Sequence, residues 1–173
     1  MRALAALVHR DYKGKRPVLV CTLKGACPFF SLLVEELQEL RQGFDLEFVR
    51  ASSYRGTSST GVVSMLLGEL NLESLKNRSV LIVEDIVDTG QTLASLMPLL
   101  QEKGQPESAH VITLVDKRLD IPKKYAAKWV GFSIPDAFIV GFGLDYNELY
   151  RDLKDIFVIS KAGIDFDATL LHK

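Results

Sequence analysis

The sequence predicts an α/β fold, a mainly parallel sheet flanked by helices, and three observations carry that expectation. Pro17-Val18-Leu19-Val20-Cys21-Thr22 and Ser79-Val80-Leu81-Ile82-Val83 are continuous apolar runs, the pattern of strands buried on both faces. Each run is followed by a glycine-bearing turn, Lys24-Gly25 or Asp88-Thr89-Gly90, and each turn precedes a helical pattern. Shorter strand candidates separated by polar connections complete the alternation.

The elements follow in order. Leu4, Leu7 and Val8 in an Ala-rich run read as a short helix without a visible N-cap, ended by Lys13-Gly14-Lys15-Arg16-Pro17. After the first strand, a helix runs from about Pro28, well placed at a first turn, through Phe29, Leu32, Leu33, Glu36, Leu37 and Leu40 to a stop at Gly43. Phe44, Leu46 and Phe48 alternate with Asp45, Glu47 and Val49 as in a strand. Arg55 to Gly61 is a long, polar, mobile loop by composition, Val62 to Leu67 resumes extended structure, and Leu72 to Lys76 is a short turn or helix, together reading as a flap. Beyond the strand at Ser79–Val83 a helix passes through Leu93, Leu96, Leu99 and Leu100. Val111–Val115 is a further strand, with Val130-Gly131-Phe132 and Phe138-Ile139-Val140 as shorter ones.

Composition bounds the function. A chain of 173 residues has the length of one domain, which buries roughly 70% of its unfolded surface without staples, so a single domain over 1–173 is expected. Hydrophobic residues at 47% and charged residues at 25% exclude disorder as the main state. A formal net charge of −1 with dispersed Lys and Arg argues against a nucleic-acid partner. No apolar run approaches the ~18 residues of a membrane span, and two cysteines, Cys21 and Cys27, are too few for a disulfide framework, so a cytoplasmic location is expected.

In an open parallel sheet, ligands sit beyond the carboxyl ends of the strands, which directs attention to the residues after Val83. Asp88-Thr89-Gly90-Gln91-Thr92 opens a helix, whose unpaired N–H groups and partial positive charge suit a phosphate, while Gly90 allows close approach and Thr89 and Thr92 add hydroxyls. Glu84 and Asp85 would repel phosphate but accept hydrogen bonds from a neutral diol. A 5-phosphoribosyl group offers both features.

The stretch Val80 to Thr92 resembles the phosphoribosyl-pyrophosphate signature of the type I phosphoribosyltransferases. Leu23-Lys24-Gly25-Ala26, Ser53-Tyr54, Val115-Asp116-Lys117-Arg118, Val130 to Asp136, Asp145-Tyr146-Asn147-Glu148 and Tyr150-Arg151-Asp152-Leu153 resemble the hypoxanthine-guanine branch of that family, over about Ala3 to Ile159. The resemblance implies the type I fold, with a small hood, mainly from about 119–173 plus a shortened N-terminus, and a mobile flap at about 53–68. It also implies a Mg²⁺-dependent purine-salvage transferase that makes IMP or GMP from hypoxanthine or guanine and 5-phosphoribosyl 1-pyrophosphate, as a homodimer or homotetramer.

Carried over by residue, it implies that Glu84 and Asp85 hold the ribose hydroxyls and that Asp88, Thr89, Gly90, Gln91 and Thr92 hold the 5′-phosphate. Asp88 would also be the catalytic proton acceptor near N7 of the base. Lys24, Gly25 and Arg151 resemble pyrophosphate contacts, and Ser53 and Tyr54 the closing flap. Lys117 resembles the donor to O6 that selects 6-oxopurines over adenine, Phe138 the ring that stacks on the purine, and Ile139 (through its carbonyl) and Asp145 the groups near C2. Glu84, Asp85 and Asp145 are the metal candidates, since Mg²⁺ binds through one or two carboxylates plus phosphate oxygens and water.

Blander readings compete at several of these positions. Glu84-Asp85 alone reads as a solvated strand end, Lys117-Arg118 as surface charge after a strand, and Phe138 as ordinary core. Gly141-Phe142-Gly143 lacks the third glycine of a dinucleotide fingerprint, and Asp85-x-x-Asp88 has the wrong spacing for a haloacid-dehalogenase phosphatase. His9, His110 and His172 lack metal spacing. A non-catalytic sensor of phosphoribosyl pyrophosphate or of a nucleotide on the same fold is the competing function; intact Asp88, Lys117 and Lys24 argue against it. Preference among hypoxanthine, guanine and xanthine is open at this level.

Overall fold

A computed structural model describes residues 1–50 and 70–166. In chain order the elements are α1 (Arg2–Asp11), β1 (Val18–Leu23), α2 (Cys27–Glu39), β2 (Asp45–Arg50), a 3₁₀ turn (Leu72–Leu75), β3 (Ser79–Val87), α3 (Gln91–Leu99), β4 (Ser108–Arg118), β5 (Trp129–Pro135), β6 (Ile139–Val140), β7 (Phe157–Val158) and α4 (Lys161–Ile164). The expected extended stretch at Val62–Leu67 and flap residues Ser53 and Tyr54 lie outside the described residues.

Five strands form one parallel sheet in the order β2-β1-β3-β4-β5. The continuous apolar runs are explained by what covers them. Leu19, Cys21, Leu81 and Val83 point into a core shared with Ala5, Val8, Phe29, Leu33 and Leu37 of α1 and α2. Val18, Val20, Val80 and Ile82 point the other way, into a core with Leu93, Leu96 and Leu100. Two buried faces leave no polar positions between them. Strand order reverses between β1 and β3, so the loops leaving these neighbours diverge and open a crevice at their carboxyl ends.

Three elements differ from the sequence expectation. β3 does not stop at Val83, because pairing with β4 continues through Glu84↔Thr113, Ile86↔Val115 and Val87↔Asp116. β2 is an edge strand whose buried side chain is Val49, leaving Leu46 and Phe48 about half exposed, although Phe48 still packs on Phe30 at a centroid distance of 5.7 Å. α3 contains Pro98 near its end; without that N–H, the hydrogen-bond ladder widens into a π turn over Leu100–Gly104. Within the span assigned to the hood, Trp129–Pro135 lies in the central sheet, and the separate small antiparallel sheet consists of β6 and β7.

Candidate active site

The crevice is floored by the end of β3. Glu84 is 8% exposed and Asp85 is half-buried, so Glu84-Asp85 is not a solvated strand end. Burial, and then the neighbouring Asp85 charge, push the Glu84 carboxyl well above its ordinary range, and burial also raises that of Asp85. Asp85 offsets part of this cost by accepting a hydrogen bond from the Ile86 N–H at 2.7 Å. Oε2 of Glu84 is buried and has no partner, an acceptor turned to no protein donor.

The turn after β1 rests directly on this floor. A Cβ at Gly25 would collide with Oδ2 of Asp85, so the turn needs glycine there to approach so closely. The Leu23-Lys24 peptide bond within it is cis. The loop leaving β6 closes on the same turn: a Cβ at Gly143 would collide with the Gly25 carbonyl.

On the other side of the crevice, Gly90 adopts φ +75° as the residue preceding α3 and accepts the Ala94 N–H at 2.9 Å. The N–H groups of Gln91, Thr92 and Leu93 thus precede the helix ladder, and that of Gln91 has only a 3.4 Å contact to Thr89 Oγ1. These residues, with Glu84 to Asp88 and Phe138, line a cavity of about 350 Å³. The Thr89–Gln91 turn is backed by a segment the sequence reading missed. The Lys124 N–H donates to the Thr89 carbonyl at 2.9 Å, Lys124 Nζ donates to Gln91 Oε1, and Tyr125 backbone packs so tightly that a Cβ at Gly90 would lie 2.6 Å from its N and O. No local motif in Arg118–Val130 signals this packing; it follows from the tertiary path of the chain.

A second cavity, of about 160 Å³, shares Asp85, Ile86, Asp88 and Phe138 with the first and adds Lys117, Ile139, Leu144 and Asp145. Lys117 is 6% exposed, which overturns its reading as surface charge. Its Nζ donates to Asp88 Oδ2 at 3.0 Å and lies 3.6 Å from Asp136 Oδ1 and 5.8 Å from the centre of the Phe138 ring. Phe138 is half exposed and meets Tyr146 edge-on at 5.5 Å, so it is not ordinary core either. Ile139 is buried in β6.

Lys24 and Arg151, remote in sequence, come together through one residue without an assigned role. Glu148 accepts from Lys24 Nζ at 2.7 Å and from Arg151 Nη2 at 3.0 Å. Arg151 also reaches Asp145 Oδ1 at 2.9 Å and the Gly143 carbonyl at 2.7 Å. Among the described residues no group of three or more His, Cys, Asp and Glu side chains could hold a metal ion by itself. Asp85 and Asp145 line the same cavity, however, with Asp145 already held by Arg151 at 2.9 Å and by the Glu148 N–H at 2.8 Å, so what the crevice offers is one or two carboxylates to a cation that arrives with most of its own ligands.

Residues 1–147 match the family model described as a phosphoribosyl transferase domain. The chain is 39% identical to the hypoxanthine-guanine phosphoribosyltransferases of Homo sapiens and Bos taurus over 166 residues, covering 92% of this chain and 75% of each relative. A hypoxanthine phosphoribosyltransferase from Staphylococcus aureus superposes with a TM-score of 0.79 at 40% identity, covering 96% of this chain and 87% of the other. The hypoxanthine phosphoribosyltransferase of Trypanosoma cruzi, a point mutant complexed with the product IMP, gives 0.77 at 34% identity over 92% of this chain and 84% of that one. The family-model match spans every residue that lines the two cavities, and the chain belongs to the phosphoribosyltransferase family, in its hypoxanthine-guanine branch, as a pentosyl-transferring enzyme.

Proposed function

We propose that the protein transfers the 5-phosphoribosyl group of 5-phosphoribosyl 1-pyrophosphate to N9 of hypoxanthine or guanine, giving IMP or GMP and pyrophosphate, with Mg²⁺. The observation that carries this reading is the shared wall of the two cavities: Asp88 belongs both to the cradle opened by Gly90 and to the pocket that holds Lys117 and Phe138. A phosphorylated sugar in the first and a flat base in the second would meet beside its carboxylate.

In this reading the 5′-phosphate takes the free N–H groups of Gln91, Thr92 and Leu93 with the hydroxyls of Thr89 and Thr92. Glu84 and Asp85, both lining the larger cavity, accept the ribose hydroxyls. The pyrophosphate lies at Lys24, the Gly25 turn and Arg151. Phe138 stacks on the purine, Lys117 Nζ donates to O6, and the Ile139 carbonyl and Asp145 face C2. Bond making and breaking balance simply. N9 attacks C1 of the ribose, the C1–O bond breaks with its electron pair going to pyrophosphate, and the proton at N7 passes to Asp88. Positioning and charge stabilisation supply most of the rate. Glu84, Asp85 and Asp145 would hold Mg²⁺, which neutralises the charge that develops on the leaving pyrophosphate.

The test mixes the protein with phosphoribosyl pyrophosphate, Mg²⁺ and each of hypoxanthine, guanine, xanthine and adenine, following nucleotide formation. Turnover of the 6-oxopurines and not of adenine supports the transferase with Lys117 as selector. Binding of phosphoribosyl pyrophosphate without turnover of any base would replace it by the sensor reading.

A further inference from the structure

Glu148 stands where an anion belongs. Its two carboxylate oxygens each take one of the cations proposed for the leaving group, Oε2 that of Lys24 at 2.7 Å and Oε1 that of Arg151 at 3.0 Å. The two bonds leave one carboxylate bridging the turn after β1 and the loop beyond β6, much as one phosphate group would. Lys24 first, and then Arg151, hold the Glu148 carboxyl below its ordinary range, so it carries its charge across the neutral range. Arg151 is otherwise anchored, through the Gly143 carbonyl at 2.7 Å and Asp145 Oδ1 at 2.9 Å, and its buried Nε has no partner. Arg151 is thus held in place by contacts that do not involve Glu148, whereas the Glu148 side chain is 63% exposed and borders solvent.

We infer that Glu148 is a positioning residue that acts as a placeholder for pyrophosphate. In the free protein it keeps Lys24 and Arg151 paired and facing one another. An incoming pyrophosphate, itself anionic, displaces it, and when the transfer is complete the carboxylate competes again for the same two cations and hastens release. The inference rests on the proposed assignment of Lys24 and Arg151 to the leaving group. It separates Glu148 from an ordinary structural ion pair by the sign of one effect: deleting a structural support weakens pyrophosphate binding, whereas deleting a competitor strengthens it.

The experiment measures binding of inorganic pyrophosphate by calorimetry, with and without Mg²⁺, and its inhibition of the forward reaction, for the parent protein, Glu148→Gln, Glu148→Asp and Arg151→Ala. Glu148→Gln is expected to bind pyrophosphate about threefold to tenfold more tightly, the size set by two partly exposed ion pairs that no longer compete. Its inhibition constant for pyrophosphate and its KM for phosphoribosyl pyrophosphate should fall in step. Glu148→Asp, which keeps the charge, should lie near the parent. Arg151→Ala should bind at least tenfold more weakly. If Glu148→Gln binds equally or less tightly while Arg151→Ala binds poorly, the placeholder is overturned and the assignment of the cations stands. If Arg151→Ala binds pyrophosphate as the parent does, both fall together.

Discussion

Lys117 Nζ lies 3.0 Å from Asp88 Oδ2, so the residue proposed to read O6 and the residue proposed to take the proton are hydrogen-bonded to each other before any base is present. The pairing is asymmetric: the Lys117 side chain is 8% exposed and that of Asp88 51%. A nearly buried ammonium needs that carboxylate, and Asp88 lines both cavities. Asp88→Asn removes both the proton acceptor and the charge opposite Lys117. The expected result is a kcat reduced by about 10²–10⁴-fold, the range of a positioned general base, with binding of phosphoribosyl pyrophosphate within about threefold of the parent. A kcat near the parent value in steady-state assays would remove Asp88 from the chemistry.

Gly90 carries two demands at once, a φ of +75° and the absence of a Cβ against Tyr125 backbone. Gly90→Ala violates both, and neither can relax by moving a flexible side chain. The phosphate cradle, not the purine pocket, should bear the damage: KM for phosphoribosyl pyrophosphate should rise about tenfold or more, with a stability loss of about 1–3 kcal/mol. Thermal melts beside kinetics with each substrate varied in turn check this, and a rise in the purine KM alone would contradict it.

Phe138 tests whether an aromatic in an apolar run serves packing or a ligand. Truncating a core phenylalanine costs about 3–5 kcal/mol, whereas half-exposed Phe138 stands over the smaller cavity and has little packing to lose. Phe138→Leu should therefore melt within about 2 °C of the parent and raise KM for hypoxanthine about twofold to tenfold, the worth of one stacking contact. A large melting shift with unchanged purine kinetics would return Phe138 to the core.

What could be read from the sequence was what chain-local physics writes into it. Val80 to Val83 had to be a doubly covered strand because each side chain is apolar, and Asp88 to Thr92 had to be a helix start with a close approach because of Gly90. Register was harder: β3 extends through Glu84 and Asp85, whose polarity suggested an end, because pairing to Thr113 and Val115 holds the backbone extended regardless of side chain. β2 showed alternation, yet Phe48 is half exposed, since an edge strand has less cover on offer. Tyr125 against Gly90, Gly143 against Gly25 and Glu148 against Lys24 are contacts between segments distant in the chain, and no spacing rule reaches them.

Glu84 predicts a conflict between stability and binding. Its carboxyl is raised above the ordinary value of 4.5 by burial first and by Asp85 second, so the folded chain holds the Glu84 proton more tightly than the unfolded chain does. The sign follows from linkage: this contribution to stability is fully present below the unfolded value and is lost as pH rises from there through the folded value, where the buried group must ionise. At pH 7 the parent therefore bears either a buried charge or a proton held against the bulk. Glu84→Gln removes that cost, keeps the shape and supplies a neutral amide. The variant should be more stable at pH 7 by about 1–2 kcal/mol, or about 2–8 °C in melting midpoint, with the gap closing as pH is lowered toward 4.5. Its KM for phosphoribosyl pyrophosphate should rise about tenfold, because a ribose hydroxyl loses one of its carboxyl oxygens as acceptor. Melting curves from about pH 4 to 8 decide the matter: a variant less stable than its parent at pH 7 would mean that the Glu84 charge is compensated within the fold, and that the carboxylate pair is structural before it is a binding site.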